Sequence, residues 1–166
     1  MTQLHGAALA AEPLRRTADL EPGEHLLLWG FRHWVCGLAD DAPAHWRMVE
    51  REFTDRFGVD HGRRSLVGLV RMIALMQGHA ARSIVYHRPC CPCVGEDEAI
   101  ILGFVAACQL GDWPGARVRA ASLVEEAGVG DLLQAGARLA KLMGDRGAAL
   151  PLRATPIMEG PQLTVH

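Results

Sequence analysis

Residues 86–110 read YHRPCCPCVGEDEAIILGFVAACQL, and this stretch decides how the rest of the chain is interpreted. From Glu96 to Leu110, apolar residues recur at helical spacing behind an acidic first turn, a pattern that predicts an α-helix. Residues 86–95 form what we call the cysteine loop, because three of the five cysteines lie there. Its two prolines, Pro89 and Pro92, do not suit a continuing helix, so the chain should be non-helical before Glu96.

Helical patterns also precede the cysteine loop. The first helix is predicted from Glu24, because apolar residues recur there at spacings of three and four. A second helix should run from Pro43 to Gly58. A third, from about Gly62 to Gly78, is apolar on nearly every side and is expected to be central. The short run from Ser83 to Tyr86 is the one strand-like segment.

Two further helices are predicted after Leu110. Asp112 is a plausible N-cap for a helix that runs from about Pro114 to Ala127. The glycines around Gly128 then mark the start of a last helix, which ends near Met143. The sequence therefore predicts an all-α, single-domain bundle of five or six helices, with the cysteine loop between helices three and four.

Length and composition agree with one globular unit. The chain has 166 residues, 49% of them hydrophobic and 22% charged, which suffices for one packed core. We expect an N-terminal arm or short helix over residues 1–20, a helical domain over 21–146 and an extended, partly mobile tail over 147–166. The net charge of −2 predicts no general attraction to nucleic acid or to an anionic membrane.

The N-terminus shows no pattern of a secretory signal, and the apolar runs are too short to span a bilayer. We therefore expect a cytoplasmic protein. In that reducing compartment, clustered cysteines more often bind metal or carry out redox chemistry than form structural disulfides.

A zinc site is the first hypothesis for the cysteines. Cys90 and Cys93 form a CxxC pair, which supplies two of the four ligands of a tetrahedral structural zinc site. His33 and Cys36 are three residues apart on the first helix and share one face, so they could complete a Cys3His set. Alternative ligands are His87, Cys91 and His79. The opposing interpretation is that Cys36 is a small buried residue and His33 an ordinary interfacial histidine.

A thiol oxidoreductase or peroxidase-like activity is the second hypothesis. Cys93 would be the attacking thiolate, favoured by the start of the following helix and by Arg88, and Cys90 would resolve the disulfide. The acidic residues from Glu96 to Glu98 are predicted to be a solvated first turn that matches the helix dipole.

The third hypothesis is a metal-free interaction module. Trp29, Trp34 and Trp46 would then form a surface for another protein or for a second copy of the chain, and the cysteines would have no role. Cys108 lies among apolar residues and is expected in the core. The sequence leaves open whether the protein is an enzyme; among the three hypotheses we favour zinc binding with a binding or regulatory role.

Overall fold

The computed structural model describes residues 15–154, and most of this range is α-helical. Within it there are six α-helices and no strand, which confirms the predicted all-α bundle. The predictions for residues 1–14 and 155–166 lie outside the described residues. The helices are α1 (Pro22–Ala39), α2 (Pro43–Phe57), α3 (Val59–Gly78), α4 (Glu96–Leu110), α5 (Trp113–Leu123) and α6 (Glu126–Gly144).

Local signals in the sequence account for several helix starts. Prolines occupy the first turns of α1 and α2, where a missing N–H costs nothing. Asp112 caps α5, since its Oδ1 accepts a hydrogen bond from the Gly115 amide at 3.0 Å. The predicted bounds of the fourth helix, Glu96 to Leu110, are confirmed.

The boundary between the last two helices differs from the prediction. The fifth helix ends at Leu123 rather than near Ala127, and Val124 and Glu125 are extended before α6 begins. Gly128 is therefore inside a helix and does not start one. Its missing side chain lets α6 approach His79, because a Cβ there would lie 2.6 Å from that of His79.

α4 is largely enclosed by the other helices. All of its residues from Ile101 to Cys108 are buried, and the helix contacts α1, α5 and α6. α3 packs on α1, α2 and α6, as its long apolar pattern suggests, although Val67 remains 66% exposed. The chain between α3 and α4, residues 79–95, contains the cysteine loop.

The segment after α6 is extended and folds back onto the helices. Leu150 is buried, and its amide donates to Gln109 on α4 at 2.8 Å. Arg153 donates two hydrogen bonds to Glu24 on α1, at 3.0 and 2.9 Å. Residues 150–153 therefore connect the end of the described chain to its first helix, whereas the proposed division at residue 147 stays a prediction.

No helix within residues 15–154 is both long enough and apolar enough to cross a lipid bilayer.

Candidate metal centre

A buried ion pair lies beneath the cysteine loop. Arg32 on α1 is 2% exposed and Glu98 in the first turn of α4 is fully buried. The guanidinium donates two hydrogen bonds to the carboxylate, from Nε to Oε1 and from Nη2 to Oε2, both at 2.8 Å. Two parallel charge-assisted hydrogen bonds of this kind fix both position and orientation.

The same pair holds the backbone of the cysteine loop. Arg32 donates from Nη1 to the Cys91 carbonyl at 2.8 Å and from Nη2 to the Cys93 carbonyl at 2.5 Å. Glu98 accepts from the His87 and Gly95 amides at 2.9 and 2.8 Å. Both ends of the loop and its middle are thus anchored through main-chain groups, and no sulfur takes part.

Glu98 is ionised in this setting. Burial alone would raise its pKa, but hydrogen bonds from Arg32 and from the His87 and Gly95 amides outweigh it and hold the pKa below its ordinary value. The Arg32–Glu98 pair therefore remains charged in the interior at neutral pH.

Asp97 anchors the chain that leads into the cysteine loop. Its carboxylate accepts two hydrogen bonds from Arg82, at 2.9 and 2.5 Å, and one from the Val85 amide at 2.7 Å. The Arg82 hydrogen bonds are the main reason that the pKa of Asp97 is lowered. Asp97 and Glu98 are both buried, so the predicted solvated first turn is wrong for two of its three acids; Glu96 is exposed.

The N-terminal segment covers the other side of the cysteine loop. The Thr17 amide donates to the Pro92 carbonyl at 2.8 Å, and the Val94 amide donates to the Arg15 carbonyl at 2.7 Å. Residues 15–17 therefore run antiparallel to residues 92–94, with Arg16 opposite Cys93.

The three sulfurs of the cysteine loop are free thiols. Cys90 is exposed, whereas Cys91 and Cys93 are partly exposed. Pro89 and Cys90 form a turn closed by the Cys91 amide and the Arg88 carbonyl at 2.9 Å. The loop therefore combines a well-anchored backbone with side chains that are accessible to a ligand.

His87 is the imidazole that belongs to this loop. Its Nδ1 lies 3.1 Å from Oε2 of Glu98, and the ring packs against Gly95, where a Cβ would lie only 2.8 Å from the ring. A carboxylate can only accept, so Nδ1 carries the proton and donates it. When the ring is neutral, Nε2 then has a free lone pair, the form in which histidine binds metal ions.

His33, a predicted zinc ligand, is paired with another histidine. Its Nδ1 lies 2.7 Å from Nδ1 of His45 on α2, and its ring lies 4.4 Å from that of Trp29 at a tilt of 47°. Burial, and then the neighbouring His45, lower the pKa of His33. One ring must donate and the other accept, so this contact requires at least one neutral imidazole.

Cys36 is buried one turn further along α1. Burial, followed by the nearby Asp40, raises the pKa of its thiol, and Cys90 also contributes to the increase. The end of α1 approaches the loop at Asp40, whose Oδ2 lies 3.7 Å from Nη1 of Arg88.

His79 and Cys108 have structural surroundings. The His79 side chain packs against Gly128, and its carbonyl accepts from the Glu125 amide at 2.8 Å. Cys108 is in the core, as expected, and burial raises the pKa of its thiol to about 12.

The described part of the chain contains no group of three or more His, Cys, Asp or Glu side chains arranged to hold a metal ion. The Cys3His set of His33, Cys36, Cys90 and Cys93 therefore stays a prediction.

The redox hypothesis relies on the N-terminus of α4 to stabilise a Cys93 thiolate, but carboxylates of α4 itself already lie there. Glu98 accepts from the Gly95 amide at the N-cap of α4, and Asp97 adds a second buried carboxylate to that turn. These negative charges offset the positive end of the helix dipole, which was the reason to expect an activated thiolate. The redox role of Cys90 and Cys93 stays a prediction.

Sequence reasoning missed the two residues that organise the site, Arg32 and Glu98. A signal was present for each. Arg32 interrupts the apolar face of α1 between Phe31 and Val35, and a charged residue at a core position calls for a buried partner. Glu98 is the third residue after Gly95, the spacing at which a carboxylate caps a helix start.

No known protein family, curated protein or solved structure matches this chain.

Proposed function

We propose that this helical protein binds zinc through the cysteine loop, in a binding or regulatory role. The ligands would be Nε2 of His87 and the thiolates of Cys90 and Cys93, with a fourth position open to Cys91 or water. These residues follow an HxxCxxC spacing. The observation that carries the proposal is the contact between His87 Nδ1 and Glu98, at 3.1 Å.

That contact is the arrangement by which proteins prepare a histidine for metal binding. A carboxylate that accepts from one ring nitrogen fixes the tautomer, orients the ring and makes the other nitrogen a better donor to the metal. Glu98 is itself fixed by Arg32, which supports the proposal because the carboxylate is held beside His87.

The thiols are suited to complete the coordination sphere. No hydrogen bond engages their sulfurs within residues 15–154, so a rotation about one side-chain bond moves each sulfur without breaking a hydrogen bond. Two thiolates and an imidazole form a ligand set that favours zinc over magnesium or calcium. The partial exposure of the sulfurs leaves room for a fourth ligand from outside the loop.

Ligands from the cysteine loop are favoured over His33 and Cys36 on α1. Cys36 would have to lose a proton while buried, and the ring of His33 is only 7% exposed and lies against Trp29. His87 has no such obstacle, because its protonated nitrogen already faces Glu98.

Cobalt(II) titration of the reduced protein tests the proposal, because cobalt reports thiolate ligation through a near-ultraviolet charge-transfer band. We expect a band that zinc abolishes by competition, and we expect Cys90→Ser, Cys93→Ser and His87→Asn to weaken cobalt binding. Cys108→Ala and His25→Asn are the matched controls, since one thiol is in the core and the other ring is exposed.

Cys36→Ala separates the two ligand sets. This variant retains the full cobalt band if the ligands belong to the cysteine loop, whereas the band and the affinity for cobalt fall if Cys36 is the third thiolate of the Cys3His set. Absence of the band from the unmodified protein would contradict the proposal. If mild peroxide then joined Cys90 to Cys93, the thiol-oxidoreductase alternative would replace it.

A further inference from the structure

A second polar site lies where the N-terminal end of α3 meets the C-terminal end of α6. His79, which contacts Gly128, is at the other end of the two helices. The start of α3 and the last turns of α6 border a cleft of about 510 Å³. We call it the basic cleft. Its polar lining consists of His61, Arg64, Arg138, Lys141, Asp145 and Arg146.

The charge in the basic cleft differs from that of the whole chain. Four cationic side chains face one carboxylate, which leaves three net positive charges locally, whereas the full sequence carries a net charge of −2. Asp145 is within 3.0 Å of the Lys141 ammonium, so that pair is largely neutralised. Arg138 and Arg146 form no ion pair within residues 15–154.

His61 lines the basic cleft and is held in place by a hydrogen bond. The residue is 6% exposed, and its Nε2 lies 2.6 Å from the Leu142 carbonyl, to which it must donate. Its Nδ1 is therefore an acceptor, and it faces Nη2 of Arg64 at 3.4 Å. The buried ring of His61 thus connects α3 to α6. It also contacts Arg64 of α3, which lines the basic cleft.

We infer that the basic cleft binds a small anion with two or more phosphate groups. Guanidinium groups suit phosphate because they offer paired donors in one plane, and three arginines line this cleft: Arg64 on α3, Arg138 on α6 and Arg146 just after α6. The cleft has the volume of an ordinary small-molecule site, so it takes a diphosphate-bearing ligand. This site is independent of the cysteine loop and does not rest on the proposed zinc binding.

Isothermal titration calorimetry with inorganic pyrophosphate tests this inference at constant ionic strength. Arg138→Gln and Arg64→Gln should each weaken binding about tenfold or more, since each removes a charge-assisted hydrogen bond. Asp145→Asn should tighten binding, because it removes the one carboxylate of the cleft. Arg71→Gln is the matched control, an exposed arginine of α3 that does not line the cleft.

Three results would overturn the inference. The first is the absence of pyrophosphate binding at low salt. The second is an equal loss of affinity in the Arg71, Arg64 and Arg138 variants, which would indicate general charge attraction. The third is binding of a single-stranded oligonucleotide without binding of pyrophosphate, which would assign the cleft to nucleic acid. Circular dichroism of each variant confirms that the helices are intact.

Discussion

Arg32 is the residue on which the shape of the cysteine loop depends. It is almost completely buried, and it bonds to Glu98 and to two carbonyls of the loop at the same time. A buried ion pair adds little net stability compared with an apolar pair, because both charges lose their hydration. Its contribution here is geometric, since it determines where His87 and the cysteines are presented.

Removal of one partner alone should be severe. We expect Arg32→Leu to lower the free energy of unfolding by about 3–5 kcal/mol, because Glu98 would be left as an uncompensated buried charge. The double variant Arg32→Leu/Glu98→Leu should recover part of that loss. Urea denaturation measures both effects.

The exposed pair of Arg56 and Glu52 provides the control. Arg56→Ala should cost at most about 1 kcal/mol, as is usual for a surface ion pair. If Arg32→Leu were as mild as this, the pair would not be the anchor of the loop.

The histidine pair predicts a pH dependence. The pKa of His33 is lowered in the folded protein from a reference value of 6.5, so the unfolded chain takes up the proton more readily. The associated stability is present above pH 6.5 and is lost as the pH falls below it. Urea denaturation at several pH values should show that the free energy of unfolding falls less with decreasing pH in His33→Gln than in the unmodified protein.

His25→Gln is the matched variant on the same helix, because His25 is exposed. The free energy of unfolding of this variant should fall with decreasing pH as it does in the unmodified protein. Identical pH profiles for all three proteins would mean that His33 does not titrate differently in the folded state.

At the scale of the helices, the sequence predicts helix ends from local signals, but it does not predict where two helices approach each other closely. The bounds of α4 follow from its acidic first turn and from Gly111, which has a left-handed backbone at the C-cap. The glycines around Gly128 predict a later start for α6 than Glu126, where the helix begins, because glycine is disfavoured inside a helix. Gly128 and Gly136 instead lie within α6 where another element comes close, and sequence alone does not show which neighbour a missing side chain admits.

Two glycines of α6 therefore respond in opposite ways to alanine. A Cβ at Gly136 would lie 2.4 Å from the ring of Phe104, which is fully buried and cannot move aside. We expect Gly136→Ala to destabilise by about 1–3 kcal/mol. At Gly130 nothing lies within 4 Å, so Gly130→Ala should stabilise by up to about 1 kcal/mol through helix propensity.

Thermal denaturation of the two variants measures this difference. A lower melting temperature for Gly136→Ala and a higher one for Gly130→Ala are expected. Equal shifts in the same direction would contradict the close approach of α6 to α4.

At the scale of the whole molecule, the sequence shows which residues could form a site but not where the fold places them. The cysteines were identifiable because their type and spacing are local properties. Whether His33 meets the cysteine loop depends on how α1 is rotated in the bundle, and in the structure His33 faces His45 on α2. His87 is a predicted alternative ligand, but the sequence does not show its partner Glu98, because their contact depends on the position of α4 beside the loop.

The bundle should not require metal to fold. The hydrophobic core is built from the helices, and Val94 is the residue of the cysteine loop that joins it. We therefore expect the metal-free protein to keep its helical circular dichroism, and excess zinc to raise the melting temperature through binding to the folded state. Loss of helicity after chelation would show that the metal is structural for the whole domain.

The atoms that coordinate added zinc give the most direct test of the account. X-ray absorption spectroscopy at the zinc edge should show two or three sulfur neighbours at about 2.3 Å and an imidazole nitrogen at about 2.0 Å. Replacement of Cys90 and Cys93 by serine should remove the sulfur shell, whereas Cys108→Ala should leave it unchanged. A shell of oxygen and nitrogen alone, or a sulfur shell that survives the double substitution, would contradict zinc binding by the cysteine loop.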